Sequence, residues 1–497
     1  MVTLDSNPPP AAPAPTSTAN LTEAAAAADS DAAAFPWYDH WYPVGILEEL
    51  DPSRPHAVHL LGVPLALWRD AGGQWRAVED SCPHRAAPLS EGRVEQDGSL
   101  RCAYHGWQFD GSGACKHIPQ LINDDKAQAV ACAGRRTCVR AFPTQEAQGL
   151  LWVLPDASPA GWAKVGTAPV NAVPELLAPG GSSNGVSQFW GWYSRDMPIR
   201  CDTMVENLMD PSHVCFAHHG TTSNRKSEKG TVTALQPDTM TVGGFTCDVK
   251  INQLEGTATW QAPCLIKHRY TGMPFYVLFY CVPTRPGWGR FFETAIVDTK
   301  VKSKIPAPAL AVLKLMSSIR WRDHITRSNA VLDGDSYILH VQERNLLAAG
   351  SDWRRLYHMP APADGSVVAT RQWLDTHGRH LPTCAPEDAT RMPPCMSKAE
   401  VLERYHQHTK NCRACSQALR NVDWGTYLAA AAGLVAAAVF VARLVVGGGG
   451  GVAAPITSAP ESLAAAVSAV VCAVVFAALR RLREQFIYVD YVHQDKN

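Results

Sequence analysis

The sequence predicts an α+β protein in three parts. An antiparallel β domain comes first, then a domain combining helices with an antiparallel sheet, then a C-terminal helical hairpin of membrane-spanning length. Three observations carry that expectation. Short apolar runs such as Ala57–Leu61 and Leu65–Trp68 recur to about Pro155, each broken by Gly, Asp or Pro, the rhythm of short antiparallel strands. Alternating stretches at Ala258–Gln261 and Phe275–Cys281 are followed by Tyr337, Ile338 and Val341 at helical spacing, so sheet and helix share the second domain. Near the end, Gly425–Ala442 and Ser462–Leu479 are each eighteen residues without a charge, close to the ~20 that cross a bilayer.

The 497 residues leave room for two or three domains. A net charge of −1 and a pI near 7.0 leave no electrostatic footprint for nucleic acid, which is not expected as a partner. Fifteen cysteines are too scattered for a small disulfide scaffold and favour a reducing compartment. Residues 1–36 are rich in Ala, Pro, Ser and Thr, and read as disordered because they cannot bury enough apolar area to offset ordering. Organelle transit peptides are Arg- and Ser-rich and poor in acids. This segment instead carries Asp5, Glu23, Asp29 and Asp31, with no Lys or Arg before residue 35, so a targeting role stays open.

Residues 37–160 are expected to form the β domain, and 161–185, rich in Ala, Pro, Gly and Ser, a linker. The second domain takes 186–400, a cysteine-pair segment 401–424, the hairpin 425–479 and a tail 480–497.

The β domain holds two short loops of one chemistry. Cys82-Pro-His84 is followed, seventeen residues on, by Cys102-Ala-Tyr-His105. A Rieske [2Fe–2S] cluster needs this inventory, two thiolates on one iron and two imidazoles on the other. Pro83, Pro88 and Gly106 suit ligands presented from loop tips. Zinc is the rival, but zinc sites usually pair Cys with Cys and His with His, whereas each loop here mixes the types.

The second chemical stretch is Glu206-Asn-Leu-Met-Asp210-Pro-Ser-His213-Val-Cys-Phe-Ala-His218-His219. Asp210 and His213 would share a face of a helix. His213 and His218 lie about 140° apart on an undistorted helix, and reach one metal only if the helix ends or loosens between them. Two histidines with a distant carboxylate make the facial triad of non-haem Fe(II) oxygenases, which leaves positions open for O2. The bland alternative is a polar helix end that happens to hold histidines. The carboxylate is sought in Val331-Leu-Asp333-Gly-Asp335-Ser-Tyr-Ile-Leu-His340. Asp335 is placed at the start of a core-facing helix, where an N-cap role is an equally simple reading, and spacing does not separate it from Asp333.

The middle of the chain is less legible. Trp260, Phe275, Tyr276, Phe279 and Tyr280 could line a pocket for a flat macrocycle, but aromatics in strands are more often core, and no substrate contact is assigned. Cys412-Arg-Ala-Cys415 sits in a helical region without the βαβ context of a redox motif. The pair could also hold half of a zinc site, though no second pair is in view. Arg480, Arg481 and Arg483 directly follow the second apolar stretch, as the positive-inside tendency expects.

Taken together, the two Cys/His loops, the Asn207…Asp210…His213…His218 stretch and the Asp333-Gly-Asp335 region resemble a Rieske-type non-haem iron oxygenase. More narrowly, the chain resembles the group of pheophorbide a oxygenase, chlorophyllide a oxygenase and the translocon-associated Rieske proteins of the chloroplast inner envelope. Trp41-Tyr-Pro-Val44, Cys82–Gly92, Tyr104–Trp107, Ile118-Pro-Gln120, Gln148–Trp152, Arg404–Cys415 and Asp490-Tyr-Val-His493 carry the likeness as well. It implies a [2Fe–2S] cluster on Cys82, His84, Cys102 and His105, and a mononuclear iron on His213, His218 and Asp335. Asn207 and Asp210 join the catalytic set, with Asp210 bridging electrons from a cluster histidine of one subunit to His213 of the next in a homotrimer. Ferredoxin is the implied donor, since no nicotinamide or flavin fingerprint is evident. The implied reaction is O2-dependent opening of pheophorbide a in chlorophyll breakdown, at a chloroplast membrane (inner envelope or thylakoid) with the catalytic part in the stroma. Protochlorophyllide and phyllobilins are alternative substrates, and a redox-sensing translocon component is an alternative role. Cys412 and Cys415 are implied to be a thioredoxin target.

Overall fold

A computed structural model describes residues 34–167, 170–173, 186–227, 230–273, 275–298, 308, 319–447 and 460–495. Residues 1–33, expected to be disordered, and most of the expected 161–185 linker lie outside them.

The first region is built from eleven short strands. β1 (Tyr42–Ile46), β11 (Leu150–Val153) and β10 (Thr144–Ala147) make a three-stranded sheet. β2 (His56–Leu60), β3 (Val63–Arg69), β4 (Trp75–Glu79) and β9 (Ala141–Phe142) make a four-stranded one. β5 (Arg93–Val94), β6 (Leu100–Arg101), β7 (Gln108–Phe109) and β8 (Cys115–His117) form a smaller antiparallel sheet. The Cys82 loop follows β4, and the Cys102 loop joins β6 to β7, so both ligand loops connect strands as expected.

The second region is organised by a seven-stranded antiparallel sheet, β12-β18-β17-β16-β15-β14-β13. Its strands are β12 (Val186–Met197), β13 (Thr231–Leu235), β14 (Gly244–Ile251), β15 (Leu254–Gln261), β16 (Leu265–Tyr270), β17 (Phe275–Arg285) and β18 (Trp288–Asp298). The two-residue side-chain period of a strand sorts β17 cleanly. Leu278, Tyr280 and Val282 join the core shared with the first region, while Phe279 and Cys281 pack toward the helices on the other face. Trp260 and Tyr280 are fully packed, so the core reading of those aromatics holds.

The helices on that face are α1 (Cys201–Met209), the single turn α2 (Val214–Ala217), α3 (Asn329–Ala348) and α4 (Gly365–Thr376). In α3 the buried residues Leu332, Asp335, Leu339, Glu343 and Leu346 recur every three or four positions, one face of a helix. This corrects the expected face, because Ile338 is exposed. It also corrects the expected start. The helix runs straight out of a π-helical turn at His324–Ser328, so Asp335 lies in its interior and is no N-cap. Phe35 and Trp37 belong with this region too: their rings pack around Trp373, and the Phe35 N–H donates to the His377 carbonyl at 2.8 Å.

Two long helices close the chain, α5 (Arg413–Gly447) and α6 (Pro460–Gln485). They pair along their length at small residues, with Gly425 against Leu479 and Gly433 against Cys472. Both are long and apolar enough to cross a membrane, and Leu428, Leu434, Val441, Val467 and Val474 face outward. The first begins twelve residues before the apolar stretch at Gly425, so the cysteine pair sits at its base. The tail then turns back to the second region, where the Arg404 N–H donates to the Ile487 carbonyl at 2.7 Å.

Candidate active site

The two ligand loops are each closed by backbone bonds. Cys82 N–H donates to Ala87 O (2.8 Å), and Cys102 N–H to Trp107 O (2.9 Å). Both sulfurs are buried, while His84 and His105 stand at the rim with ring centroids 4.5 Å apart. Trp107 stacks flat on His84 at 4.8 Å and donates to Gln120 (3.2 Å), whose amide donates to the His105 carbonyl at 2.8 Å. Burial, with the Cys102 sulfur beside it, pushes the Cys82 thiol up to about 11, so a thiolate there needs a cation. His84 Nδ1 is buried and without a hydrogen-bond partner. Thiols below and imidazoles above suit a two-iron cluster rather than a single tetrahedral ion.

α1 ends at Met209, so Asp210 and His213 do not share a helix, contrary to expectation. Asp210 caps α1, and His213 and His218 flank the single turn of α2. The early end is what lets both rings point to one place, with centroids 5.3 Å apart and planes at 77°. α3 delivers the carboxylate between them. Asp335 Oδ1 is 3.8 Å from His213 Nε2, and Oδ2 is 3.4 Å from His218 Nε2. One donor atom from each residue lies within 4.8 Å of the others. Asn207 Nδ2 is 3.5 Å from His213 Nε2, and Asp210 Oδ2 is 3.7 Å from His213 Nδ1.

Electrostatics mark this as a cation site. Burial holds Asp335 up, at about 6, and burial with nearby His213 drives His218 down to about 3. Burial also opposes a charge on His213, but Asp210 and Asp335 outweigh it and raise its affinity for a proton. A divalent cation would take the place of that proton, and the two-histidine, one-carboxylate set fits ferrous iron. Asp333 points elsewhere. Its two oxygens accept from Arg195 (2.6 Å) and from Arg404 Nε and Nη2 (2.9 and 2.6 Å), all fully buried. Of the two acids that spacing left open, Asp335 is the one that lies beside both histidines.

Residues 40–140 match the Rieske [2Fe–2S] domain, and residues 260–353 match the pheophorbide a oxygenase domain. Pheophorbide a oxygenase of Oryza sativa subsp. japonica is 34% identical over 93% of this chain and 85% of its own length. The chain belongs to the pheophorbide a oxygenase family. The Arabidopsis thaliana pheophorbide a oxygenase is 32% identical over 94% of the chain and 86% of its own length. Flavonoid 8-hydroxylase 2 of Ocimum basilicum is 31% identical over 78% and 75%. As a family member this chain is a Rieske oxygenase, an enzyme with a [2Fe–2S] cluster and a non-haem iron.

Sequence reasoning left two groups unassigned. The tail returns to the backbone beside His218 and Asp335: Tyr491 donates to the Ala217 carbonyl at 2.8 Å, and His493 Nε2 lies 3.0 Å from the Gly334 carbonyl. The Asp490–His493 motif held the signal, but not its destination. Beside Cys412 and Cys415 the fold places His324 and His408. His408 stood in view four residues before Cys412, while His324 is distant in sequence.

Proposed function

We propose that this oxygenase is membrane-anchored and opens or oxygenates a chlorophyll-derived tetrapyrrole, pheophorbide a first among them, with O2 and electrons from ferredoxin. The convergence of His213, His218 and Asp335 on one point carries the reading, since a redox sensor has no use for a second iron centre. When loaded, the cluster supplies single electrons and the ferrous ion supplies O2 activation. Asp210 is suited to link the two. Its Oδ1 is held by the Ser212 N–H (2.7 Å) and hydroxyl (2.6 Å), leaving Oδ2 toward His213. In a homotrimer, a cluster histidine from a neighbouring subunit would complete that bridge. Asn207, beside His213, is assigned to orienting the reactants at the positions the three ligands leave open. α5 and α6 cross a chloroplast membrane (inner envelope or thylakoid), keeping the catalytic part and the tail in the stroma. A thioredoxin role for Cys412 and Cys415 requires the base of α5 to open, because both thiols are buried.

The test is one reaction with the detergent-solubilised, iron-replete chain, reduced ferredoxin, O2 and pheophorbide a, followed by mass spectrometry. A ring-opened product with added oxygen is expected, absent in Asp335→Ala. The basil relative makes a flavonoid the second substrate to try, beside protochlorophyllide and phyllobilins. Two irons per chain instead of three would refute the oxygenase reading and favour a sensor.

A further inference from the structure

The structure assigns a second metal centre to this chain: we propose that His324, His408, Cys412 and Cys415 hold a structural Zn2+ at the base of the membrane hairpin. All four residues are buried, and one donor atom from each lies within 4.8 Å of the others. His324 Nδ1 is 3.5 Å from Cys412 Sγ and 3.4 Å from Cys415 Sγ, and His408 Nε2 is 3.3 Å from Cys415 Sγ. Zinc bonds of about 2.3 Å to sulfur and about 2.0–2.1 Å to nitrogen in a tetrahedron put S and N about 3.5 Å apart. These three S···N distances match that spacing. In a two-iron cluster the thiolates and imidazoles would sit on different irons, farther apart, so the geometry is mononuclear.

The surroundings support a cation. His408 Nδ1 lies 2.7 Å from the Ser194 carbonyl, which makes it the protonated nitrogen and turns the bare Nε2 lone pair to the sulfurs. The Cys415 N–H points at Cys412 Sγ at 3.4 Å. The Tyr193 ring packs against both imidazoles, at 5.1 and 4.6 Å, and Ile325, Leu419 and Phe486 close the shell. Both histidines lie in π-helical turns, His324–Ser328 and Tyr405–Thr409, a rare conformation that gathers at functional positions. Metal-free, the four groups could pair as two S–H···N bonds. His324 instead stands nearly equidistant from both sulfurs, which is convergence on a point rather than pairing.

Such an ion would join three segments: the turn that leads into α3, the turn before α5, and the first residues of α5 itself. It also accounts for a Cys-x-x-Cys that has no second cysteine pair, since the partners are histidines brought by the fold.

The experiment uses the full-length chain in detergent, purified with its native metals. Elemental mass spectrometry should find one zinc per chain in addition to the iron. The Cys412→Ser/Cys415→Ser variant should lose that zinc while keeping the iron count and the cluster's EPR signal. Should the variant fail to fold, wild-type protein still decides. Grown on cobalt, it should show thiolate-to-cobalt charge-transfer and tetrahedral d–d bands. In alkylation mass spectrometry, exposed Cys138 and Cys395 should react at once, and Cys412 and Cys415 only after a chelator has removed the zinc. Zinc well below one per chain, a Cys412–Cys415 disulfide in the protein as isolated, or ready alkylation of the pair before chelation would overturn the proposal. The iron count is read independently, so failure here leaves the oxygenase reading intact.

Discussion

Asp333 and Asp335 are two residues apart on one helix, and replacing each by Asn should have opposite consequences. Asp333 is fully buried, and its oxygens accept three N–H bonds from two guanidiniums. The amide cannot neutralise either arginine, and breaking a buried pair while leaving its partner charged costs about 3–5 kcal/mol. At roughly 2–4 °C per kcal/mol for a region of this size, Asp333→Asn should lower the melting temperature by about 6–20 °C. Asp335 faces two imidazoles and the Asn207 amide rather than a guanidinium, and burial already disfavours its charge, raising it to about 6. Asp335→Asn should therefore leave the metal-stripped chain at or slightly above the wild-type melting temperature while abolishing the third iron and turnover. The assay is tryptophan fluorescence on heating of chelator-treated protein in detergent, beside iron counts on untreated protein. A wild-type melting temperature for Asp333→Asn, or a collapse for Asp335→Asn, would refute the division of labour.

Other expectations follow from neighbouring contacts. A methyl at Gly334 would lie 3.0 Å from the Ala217 carbonyl, 3.1 Å from His218 Nδ1 and 3.3 Å from the Tyr491 ring. In Gly334→Ala the ~1 kcal/mol gain in helix propensity is outweighed by about 1–3 kcal/mol of overpacking. The third iron should be lost with the cluster spectrum unchanged; full iron occupancy would sink the idea. Tyr491→Phe removes the hydrogen bond to the Ala217 carbonyl, worth about 1 kcal/mol, and should weaken iron retention several-fold in a chelator competition. Burial pushes Glu343 up to about 8 from its usual 4.5, Asp202 adding to it and the Arg200 N–H opposing it. The folded chain keeps a proton there that the unfolded chain releases above 4.5. Stability from this group is thus full below 4.5 and lost as pH rises through about 8. Glu343→Gln should flatten that slope in melting temperatures taken from pH 5 to 9; an unchanged slope would place its origin elsewhere.

The cluster loops were readable because each thiolate and its imidazole are near neighbours in sequence, and a loop needs no distant partner to present them. His213 and His218 were readable for the same reason, although the break in the helix that unites them is a property of the fold. Asp333 and Asp335 were not separable by spacing. Two residues along a helix are about 200° apart around its axis, so one acid meets His213 and His218 and the other a pair of arginines, and neither arginine is close in sequence. The helix start was misplaced because only the apolar residues after Asp335 marked it, whereas the turns before it, with Gly334 against His218 and the tail, belong to the same helix. The second metal centre stayed hidden because its nitrogen donors come from two turns that only the tertiary fold brings to the cysteines. The apolar stretches located the hairpin, but the polar first turns of α5 carry no hydropathy signal.

The return of the tail has a consequence for biogenesis. Tyr491 and His493, which brace the carbonyls of Ala217 and Gly334, are translated only after both hairpin helices. The backbone around His218 and Asp335 thus gains these last contacts only after the residues of both helices have been made. A chain whose second helix stalls in the translocation machinery, or exits on the opposite face, would carry a finished electron-accepting domain and an unfinished oxygen-handling one. In a membrane-anchored chain, correct insertion of both helices would therefore precede completion of the site formed by His213, His218 and Asp335.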